Sequence, residues 1–180
     1  MADSVFILKW VLLAFLFHPL SSSSAIATMK NVDTIEKACK RTSHVDLCVS
    51  SLESDKRSFG EDYHGLARIS LEQALAKGNG VSLQVLKLLS ETSDDVMATD
   101  LTECGRRYSN IVHMVEDSLQ AFDSQSYVLA QFQLSSCIFD ASMCKQAFEE
   151  QPGRRSPLGD ANDIMEGLCV ISSELIHLLK

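Results

Sequence analysis

Residues 98–149 read ATDLTECGRRYSNIVHMVEDSLQAFDSQSYVLAQFQLSSCIFDASMCKQAFE, and this stretch decides the fold. Apolar residues recur at spacings of three and four on both sides of Asp123-Ser124-Gln125, which predicts two helices joined by a short turn. In a hairpin folded about Ser124, Cys104 and Cys144 occupy mirror positions, because they are equally distant from the turn. We therefore expect these two cysteines to meet across neighbouring antiparallel helices.

The other four cysteines show the same mirror arrangement. Cys39 and Cys48 flank a short turn near residue 43, and Cys137 and Cys169 flank the Pro/Gly/Arg turn near residue 153. In an oxidising compartment an even number of cysteines favours disulfides over metal binding or catalysis, although six cysteines allow 15 connectivities. We expect the first pair to be bridged, like the pair across the central turn. The last pair is a candidate third disulfide, with buried core thiols as the alternative.

The N-terminus has the features of a secretory signal peptide. One lysine precedes an unbroken apolar run, residues 10–17, which is followed by Pro19, a serine run and the small-x-small site Ala25-Ile26-Ala27. A membrane anchor is the alternative, but this run is too short to span a hydrocarbon layer of ~30 Å. We expect residues 1–27 to be removed, leaving a secreted mature chain of residues 28–180 with no later segment that crosses a membrane.

Helical spacing dominates the mature chain, and strand patterns are almost absent. Four long segments predict an all-α fold, an up-down-up-down four-helix bundle over residues 61–180. Residues 28–60 predict a disulfide-linked helical hairpin as an N-terminal extension. Gly78-Asn79-Gly80 interrupts the first bundle segment and predicts a kink or a weak turn, since each glycine costs about 1 kcal/mol in a helix.

No catalytic, cofactor-binding or metal-binding site is evident from the residue pattern. The five histidines do not cluster, no Cys-x-x-Cys or Gly-x-Ser-x-Gly occurs, and His113 with Glu116 is interpreted as a solvated pair. The formal net charge of −8 disfavours nucleic acid and anionic membranes as partners.

Protein binding is a better interpretation of several surface candidates. Tyr127, at a helix start beside a turn, is the candidate aromatic anchor, whereas Phe132 is assigned to the core. Arg106 and Arg107 are candidates for ion pairing with an acidic rim on a partner, with an ordinary solvated face as the alternative.

An ordered set of sequence pieces resembles the plant invertase and pectin methylesterase inhibitor family. The pieces are the cysteine pair nine residues apart, Cys104-x-x-x-Tyr108, Asp140-Ala141-Ser142-x-Cys144 and Pro157-Leu158 before the last helix. The resemblance implies a helical hairpin packed on a four-helix bundle, with bridges between the first and second and between the third and fourth cysteines. It also implies a protein without enzymatic activity that blocks the substrate cleft of a secreted carbohydrate-active enzyme.

Two departures from the family pattern concern the target and the third cysteine pair. Invertase-directed members often carry Pro-Lys-Phe early in the third bundle helix, where this chain has Tyr127-Val128-Leu129. We therefore expect pectin methylesterase as the target, with acid invertase as the alternative, and the cell wall or apoplast rather than the vacuole as the location. Cys137 replaces a residue that is often small in the family, so a bridge to Cys169 is not implied by the resemblance.

Two rival classes fit the residues less well. A small helical lipid carrier usually has adjacent Cys-Cys and Cys-x-Cys, which are absent here. A hydrolase needs a nucleophile and a base at a spacing that this chain does not offer.

Overall fold

The structure, a computed structural model, describes residues 33–149 and 155–180. All regular elements in these residues are helical, in the order α1 (33–39), α2 (Val45–Ser54), a 3-10 turn (Lys56–Ser58), α3 (Tyr63–Glu91), α4 (Asp95–Asp123), α5 (Tyr127–Glu149) and α6 (Gly159–His177). The predicted signal peptide, residues 1–27, lies outside the described residues. None of the helices in the described part of the chain is both long and apolar enough to span a lipid bilayer.

Helices α3 to α6 form an up-down-up-down bundle. Each packs against the next along the chain, and α6 packs back against α3, so the four surround one core. The packing follows the apolar spacing: α4, for example, buries Leu101, Cys104, Tyr108, Ile111 and Val115. Burying a large apolar side chain is worth roughly 1.5–3 kcal/mol relative to leaving it exposed. The predicted all-α bundle with an N-terminal hairpin is confirmed.

Helix α3 runs without a break through the predicted interruption. Gly78 is buried, and a Cβ atom there would lie 3.4 Å from Val112 of α4 and 3.9 Å from the Met165 sulfur of α6. Of the two predicted alternatives, a kink or a weak turn, the unbroken helix agrees with a weak turn that is tolerated, because packing of the core against two neighbouring helices outweighs the low helix propensity of glycine.

Two disulfides are present in the described residues, Cys39–Cys48 and Cys104–Cys144, with Cα–Cα distances of 5.5 Å and 4.7 Å. The first closes the α1–α2 hairpin, and the second links α4 to α5. The third candidate pair, Cys137 and Cys169, consists of two buried thiols and is not bridged in the structure. The alternative of core thiols therefore describes the structure, and neither of the two bridges reaches α6.

The α1–α2 hairpin packs on the side of the bundle formed by α3 and α6. Leu47 lies so close to Gly167 that a Cβ atom at position 167 would be 2.6 Å from the leucine side chain. Ser43 donates hydrogen bonds from its backbone N–H and its hydroxyl to Glu174, at 2.9 Å and 3.2 Å. Because α2 contacts both α3 and α6, the hairpin covers this side of the bundle.

A chain of ion pairs connects the exit of the hairpin to the bundle. Arg57 lies 2.6 Å from Asp55 and 2.7 Å from Glu72, and Arg68 contacts Glu72 and lies 3.0 Å from Asp123. These groups are partly exposed, so each pair contributes only ~0–1 kcal/mol, but together they fix the start of α3 beside the end of α4.

Candidate target-binding surface

Arg106 and Arg107 are adjacent on α4 but occupy different environments. The exposed Arg106 guanidinium donates to Glu103 at 2.6 Å and 3.0 Å. The Arg107 side chain is only 17% exposed and donates to Glu103 at 2.6 Å and to Asp140 of α5 at 2.8 Å. Arg107 therefore ties α4 to α5, and Arg106 is the arginine of the two that is open to a partner protein.

The electrostatics of this cluster are balanced internally. Hydrogen bonds from Arg106 and then from Arg107 lower the pKa of Glu103 to about 2. The hydrogen bond to Asp140 raises the pKa of the Arg107 guanidinium. Two guanidinium groups thus face two carboxylates, and the cluster presents little net charge to an approaching partner.

Tyr127 is held in place by an aromatic cluster at one end of the bundle. The turn between α4 and α5 is short, with Gln125 in the left-handed region at φ 57°, and it brings Tyr127 back beside α4. The Tyr127 ring lies 5.5 Å from Phe122 and 6.5 Å from His64, and the rings of those two residues are 4.6 Å apart. A half-buried tyrosine that is fixed in this way loses little side-chain freedom on binding.

The structure does not bring the three predicted contact residues together. Tyr127 begins α5, and Asp140, the α5 partner of Arg107, lies 13 residues further along. At 1.5 Å per residue, this separation is roughly 20 Å along the helix. Tyr127 and the two arginines therefore belong to different parts of the α4–α5 side.

Helix α5 presents a large apolar surface to solvent, here called the α5 outer face and defined by Val128, Leu129, Phe132 and Phe139. Their exposed fractions are 73%, 50%, 66% and 59%. Positions 128, 132 and 139 follow helical spacing, so these side chains share one side of the helix over roughly 16 Å. Tyr127 and Lys180 join the first three in lining an open depression of about 680 Å³.

Phe132, which is predicted to lie in the core, is 66% exposed, so this prediction is wrong. The buried positions of α5 include Ala130, Leu134, Cys137, Ala141, Cys144 and Phe148. A helix that is apolar on all sides has no periodicity that separates its inner from its outer side. A signal was available nonetheless: residues 127–139 contain no Asp, Glu, Lys, Arg or His.

The α5 outer face is suited to binding rather than to catalysis. Contiguous exposed apolar side chains, aromatic ones above all, mark protein interaction sites. The face itself carries no ionisable side chain that could transfer a proton or attack a substrate. In the described residues no group of three His, Cys, Asp or Glu side chains is arranged to hold a metal ion.

A second, smaller apolar exposure lies on α3. Leu83 and Leu86 are 68% and 64% exposed. A shallow groove between α3 and α4 beside Leu86 also includes Gly105 and His113. These two leucines are as exposed as the residues of the α5 outer face, but they carry no aromatic ring and lie on the helix diagonally opposite α5. Substitutions of these leucines are therefore matched controls for substitutions in the α5 outer face.

Comparisons with known proteins agree with the fold. Residues 33–175 match the family described as plant invertase/pectin methylesterase inhibitor. A pectinesterase inhibitor from Actinidia deliciosa is 25% identical over 99% of this chain and 95% of its own length. Cell wall / vacuolar inhibitor of fructosidase 2 from Arabidopsis thaliana is 29% identical over 88% of this chain and 86% of its own length. A crystal structure of a mutant form of a pectin methylesterase inhibitor from Arabidopsis superposes with a TM-score of 0.70 at 16% identity, covering 82% of this chain and 95% of that one.

The fold and the match over most of the chain define a class of proteinaceous enzyme inhibitors. This chain belongs to the plant invertase and pectin methylesterase inhibitor family. The resemblance inferred from the ordered sequence pieces is therefore confirmed, and so is the expectation that the protein is an inhibitor rather than an enzyme.

Proposed function

We propose that the mature chain, residues 28–180, is secreted and inhibits a pectin methylesterase by placing the α5 outer face against the enzyme's substrate cleft. The observation that carries the proposal is this exposed, uncharged face on a member of an inhibitor family. Inhibition is then steric, because an inserted helix excludes the polysaccharide. The bundle and its α4–α5 disulfide hold the face rigid, which lowers the ordering cost of binding.

The start of α5 supports pectin methylesterase over acid invertase. Relatives of both kinds match this chain at comparable identity, so the overall similarity does not favour either target. At the positions of the Pro-Lys-Phe that invertase-directed members often carry, this chain has Tyr127, Val128 and Leu129, and Val128 is 73% exposed. An apolar side chain there cannot supply the cation that a lysine would bring to acidic groups of an invertase. Acid invertase remains the second candidate, supported by the 29% identity to an inhibitor of fructosidase.

Tyr127 and Arg106 extend the proposed contact at its edges. Tyr127 borders the α5 outer face and is already fixed by packing, so it serves as an aromatic anchor. Arg106 is exposed on α4, and by exchanging its exposed pair with Glu103 it can bind a carboxylate of the target. Arg107 contributes to the proposed contact by holding α5 against α4 and not by binding the target, because its guanidinium is already paired with Glu103 and Asp140.

The proposed location is the cell wall or apoplast, with the vacuole as the alternative. Support comes from the signal-like residues 1–27 and from relatives named cell wall / vacuolar inhibitors. Intact mass of the protein recovered from the extracellular fluid tests the secretion step. A mass that begins near Thr28 is expected, and one that retains Trp10 would contradict cleavage.

Titration of the purified, oxidised protein against both enzyme classes tests the target. Several pectin methylesterase and acid invertase isoforms should be assayed at about pH 5 and about pH 7, where carboxylates and histidines of a contact differ in charge. The expected result is stoichiometric, reversible loss of pectin methylesterase activity. Reduced and alkylated protein, which loses its bridges, is the control. Inhibition of invertase alone would make acid invertase the target instead of pectin methylesterase. If neither class of enzyme is inhibited, the proposed function is refuted, and the description of the fold is not affected.

A further inference from the structure

Cys137 and Cys169 are two free thiols inside the bundle. Cys137 lies on α5 and Cys169 on α6, and both side chains are fully buried. The Cys137 thiol contacts the carbonyl oxygen of Ile111 on α4 at 3.8 Å, and α5 packs against α6. Both thiols therefore lie in the core on neighbouring helices, at the mirror positions of the turn that joins α5 to α6.

The environment of this pair makes it inert once the bundle is closed. The hydrogen bond to Cys137, and then burial, raise the pKa of the Cys169 thiol well above its usual range. Because the thiolate is the reactive form, a buried thiol with a raised pKa exchanges slowly with disulfides. No small-molecule oxidant has direct access to two side chains with no exposed surface.

The pair also lies where a covalent link is missing. Cys39–Cys48 closes the hairpin and Cys104–Cys144 joins α4 to α5, so neither reaches α6. Helices α5 and α6 are packed neighbours over most of their length. A bond between positions 137 and 169 would join the last helix to the rest of the bundle.

We propose that Cys137 and Cys169 are the reduced form of a third disulfide, which closes while the chain folds in an oxidising compartment and links α5 to α6. Before α6 docks, both thiols are open to a low-molecular-weight disulfide such as oxidised glutathione. One thiolate attacks it, forming a mixed disulfide and releasing one glutathione thiolate. The second cysteine then attacks the protein sulfur of the mixed disulfide, the Sγ–Sγ bond forms and the second glutathione leaves. The protein loses two electrons and two protons, and the two glutathione molecules gain them.

Burial then preserves whichever state is reached at docking. A chain that forms the bridge before α6 docks keeps the bridge. A chain in which α6 docks first keeps the two free thiols of the structure. A bridge that encloses about 30 residues typically raises stability enough to shift the melting temperature of a chain of this size by roughly 5–10 °C. The proposal concerns this covalent state and is independent of which enzyme the protein inhibits.

Peptide mapping of the mature chain tests the proposal directly. The chain, denatured and reduced, is refolded in a mixture of reduced and oxidised glutathione, alkylated under denaturing conditions and digested without reduction. A peptide that links Cys137 to Cys169 is expected, together with a melting temperature above that of protein in which both residues are alkylated after denaturation. Recovery of both cysteines as alkylated thiols after oxidative refolding would overturn the proposal.

A set of three variants gives an independent test that does not depend on mapping. Cys137→Ala, Cys169→Ala and the double variant are compared with the wild type after oxidative refolding. A bridge is lost by either single change, so the double variant should melt within a few degrees of each single variant. Additive losses would show two separate buried thiols and contradict the bridge, and variants that do not fold leave the wild-type mapping as the deciding result.

Discussion

The outer sides of α4 and α5 differ although the two helices are antiparallel neighbours joined by a disulfide. On α4 the exposed residues are almost all polar or charged, and several pair with neighbours on the same helix, as Arg106 does with Glu103 and His113 with Glu116. On α5 the first thirteen residues carry no charge, and Val128 and Phe132 are largely exposed. The difference indicates that α4 uses its polar surface for solubility and for its contact with α5, whereas α5 keeps apolar area available for a partner.

The same difference explains how one bundle can combine stability with binding. Arg107 and the Cys104–Cys144 bridge hold α5 against α4 from the inner side, so the outer side of α5 contributes little to folding. Removing apolar surface from water gains about 25 cal/mol per Å², and the outer side of α5 makes this gain only when a partner covers it. Variants that break the links between α4 and α5 and variants of the α5 outer face test these two roles separately.

Removing the covalent link between the two helices should have the largest effect. Cys104→Ala with Cys144→Ala opens a loop with a sequence separation of 40 residues, and the free energy of unfolding should fall by about 4 kcal/mol, because the unfolded chain gains freedom. Urea unfolding measures the loss. The matched control, Cys39→Ala with Cys48→Ala, opens a separation of 9 residues and should cost only about 2–3 kcal/mol. An equal or larger loss in the hairpin variant would contradict this ranking.

Removing the ionic link should have the next largest effect. Arg107→Met leaves the Asp140 carboxylate, whose side chain is 11% exposed, without its partner at 2.8 Å, and unfolding should become easier by about 2 kcal/mol. The neighbouring change Arg106→Met removes an exposed pair and should leave the unfolding midpoint within experimental error. Similar losses from both changes would show that the two arginines have the same structural role, contrary to their environments.

Truncating the α5 outer face should affect binding and not folding. Phe132→Ala should weaken the complex with the target enzyme by about 1–2 kcal/mol, roughly 5- to 30-fold in Kd, since an aromatic anchor that is buried in the complex is lost. Its stability should change by no more than about 0.5 kcal/mol, because the ring is 66% exposed in the free protein. Leu83→Ala on α3, which is 68% exposed, is the control. A weaker complex for Leu83→Ala with Phe132→Ala unchanged would move the contact to α3.

The pH dependence of the α4 cluster should be the smallest effect. The pKa of Glu103 is about 2 in the folded protein, below its ordinary value, so its stabilising contribution is present above about pH 4.5 and is lost as the pH falls through 2. The stability difference between wild type and Glu103→Gln should therefore be constant from about pH 7 to pH 5 and shrink on further acidification. Since Glu103 is partly exposed, the difference should be no more than ~1 kcal/mol. A difference that grows with acidification would contradict the folded pKa.

The sequence predicted α4 and the bridges Cys39–Cys48 and Cys104–Cys144 well, whereas the same mirror argument did not settle the state of Cys137 and Cys169. Polar and apolar residues alternate on α4 with helical spacing, so its inner side, including Tyr108 and Ile111, is evident. Cys104 and Cys144 are equally distant from a turn of three residues, so their meeting follows from the antiparallel geometry alone. The candidate contact residues were less predictable, because neighbours in the chain such as Arg106 and Arg107 separate in exposure once a second helix packs beside them.

The sequence alone is enough to identify an all-helical, disulfide-linked member of an inhibitor family, because helical period, cysteine spacing and short motifs are local properties. The exposed side of α5, the continuity of α3 through Gly78 and the contact of Arg107 with Asp140 follow from tertiary packing instead. The first and the third depend on the rotation of a helix about its own axis relative to its neighbours. That rotation is set by packing of the whole core, and a segment that is apolar on every side does not encode it locally.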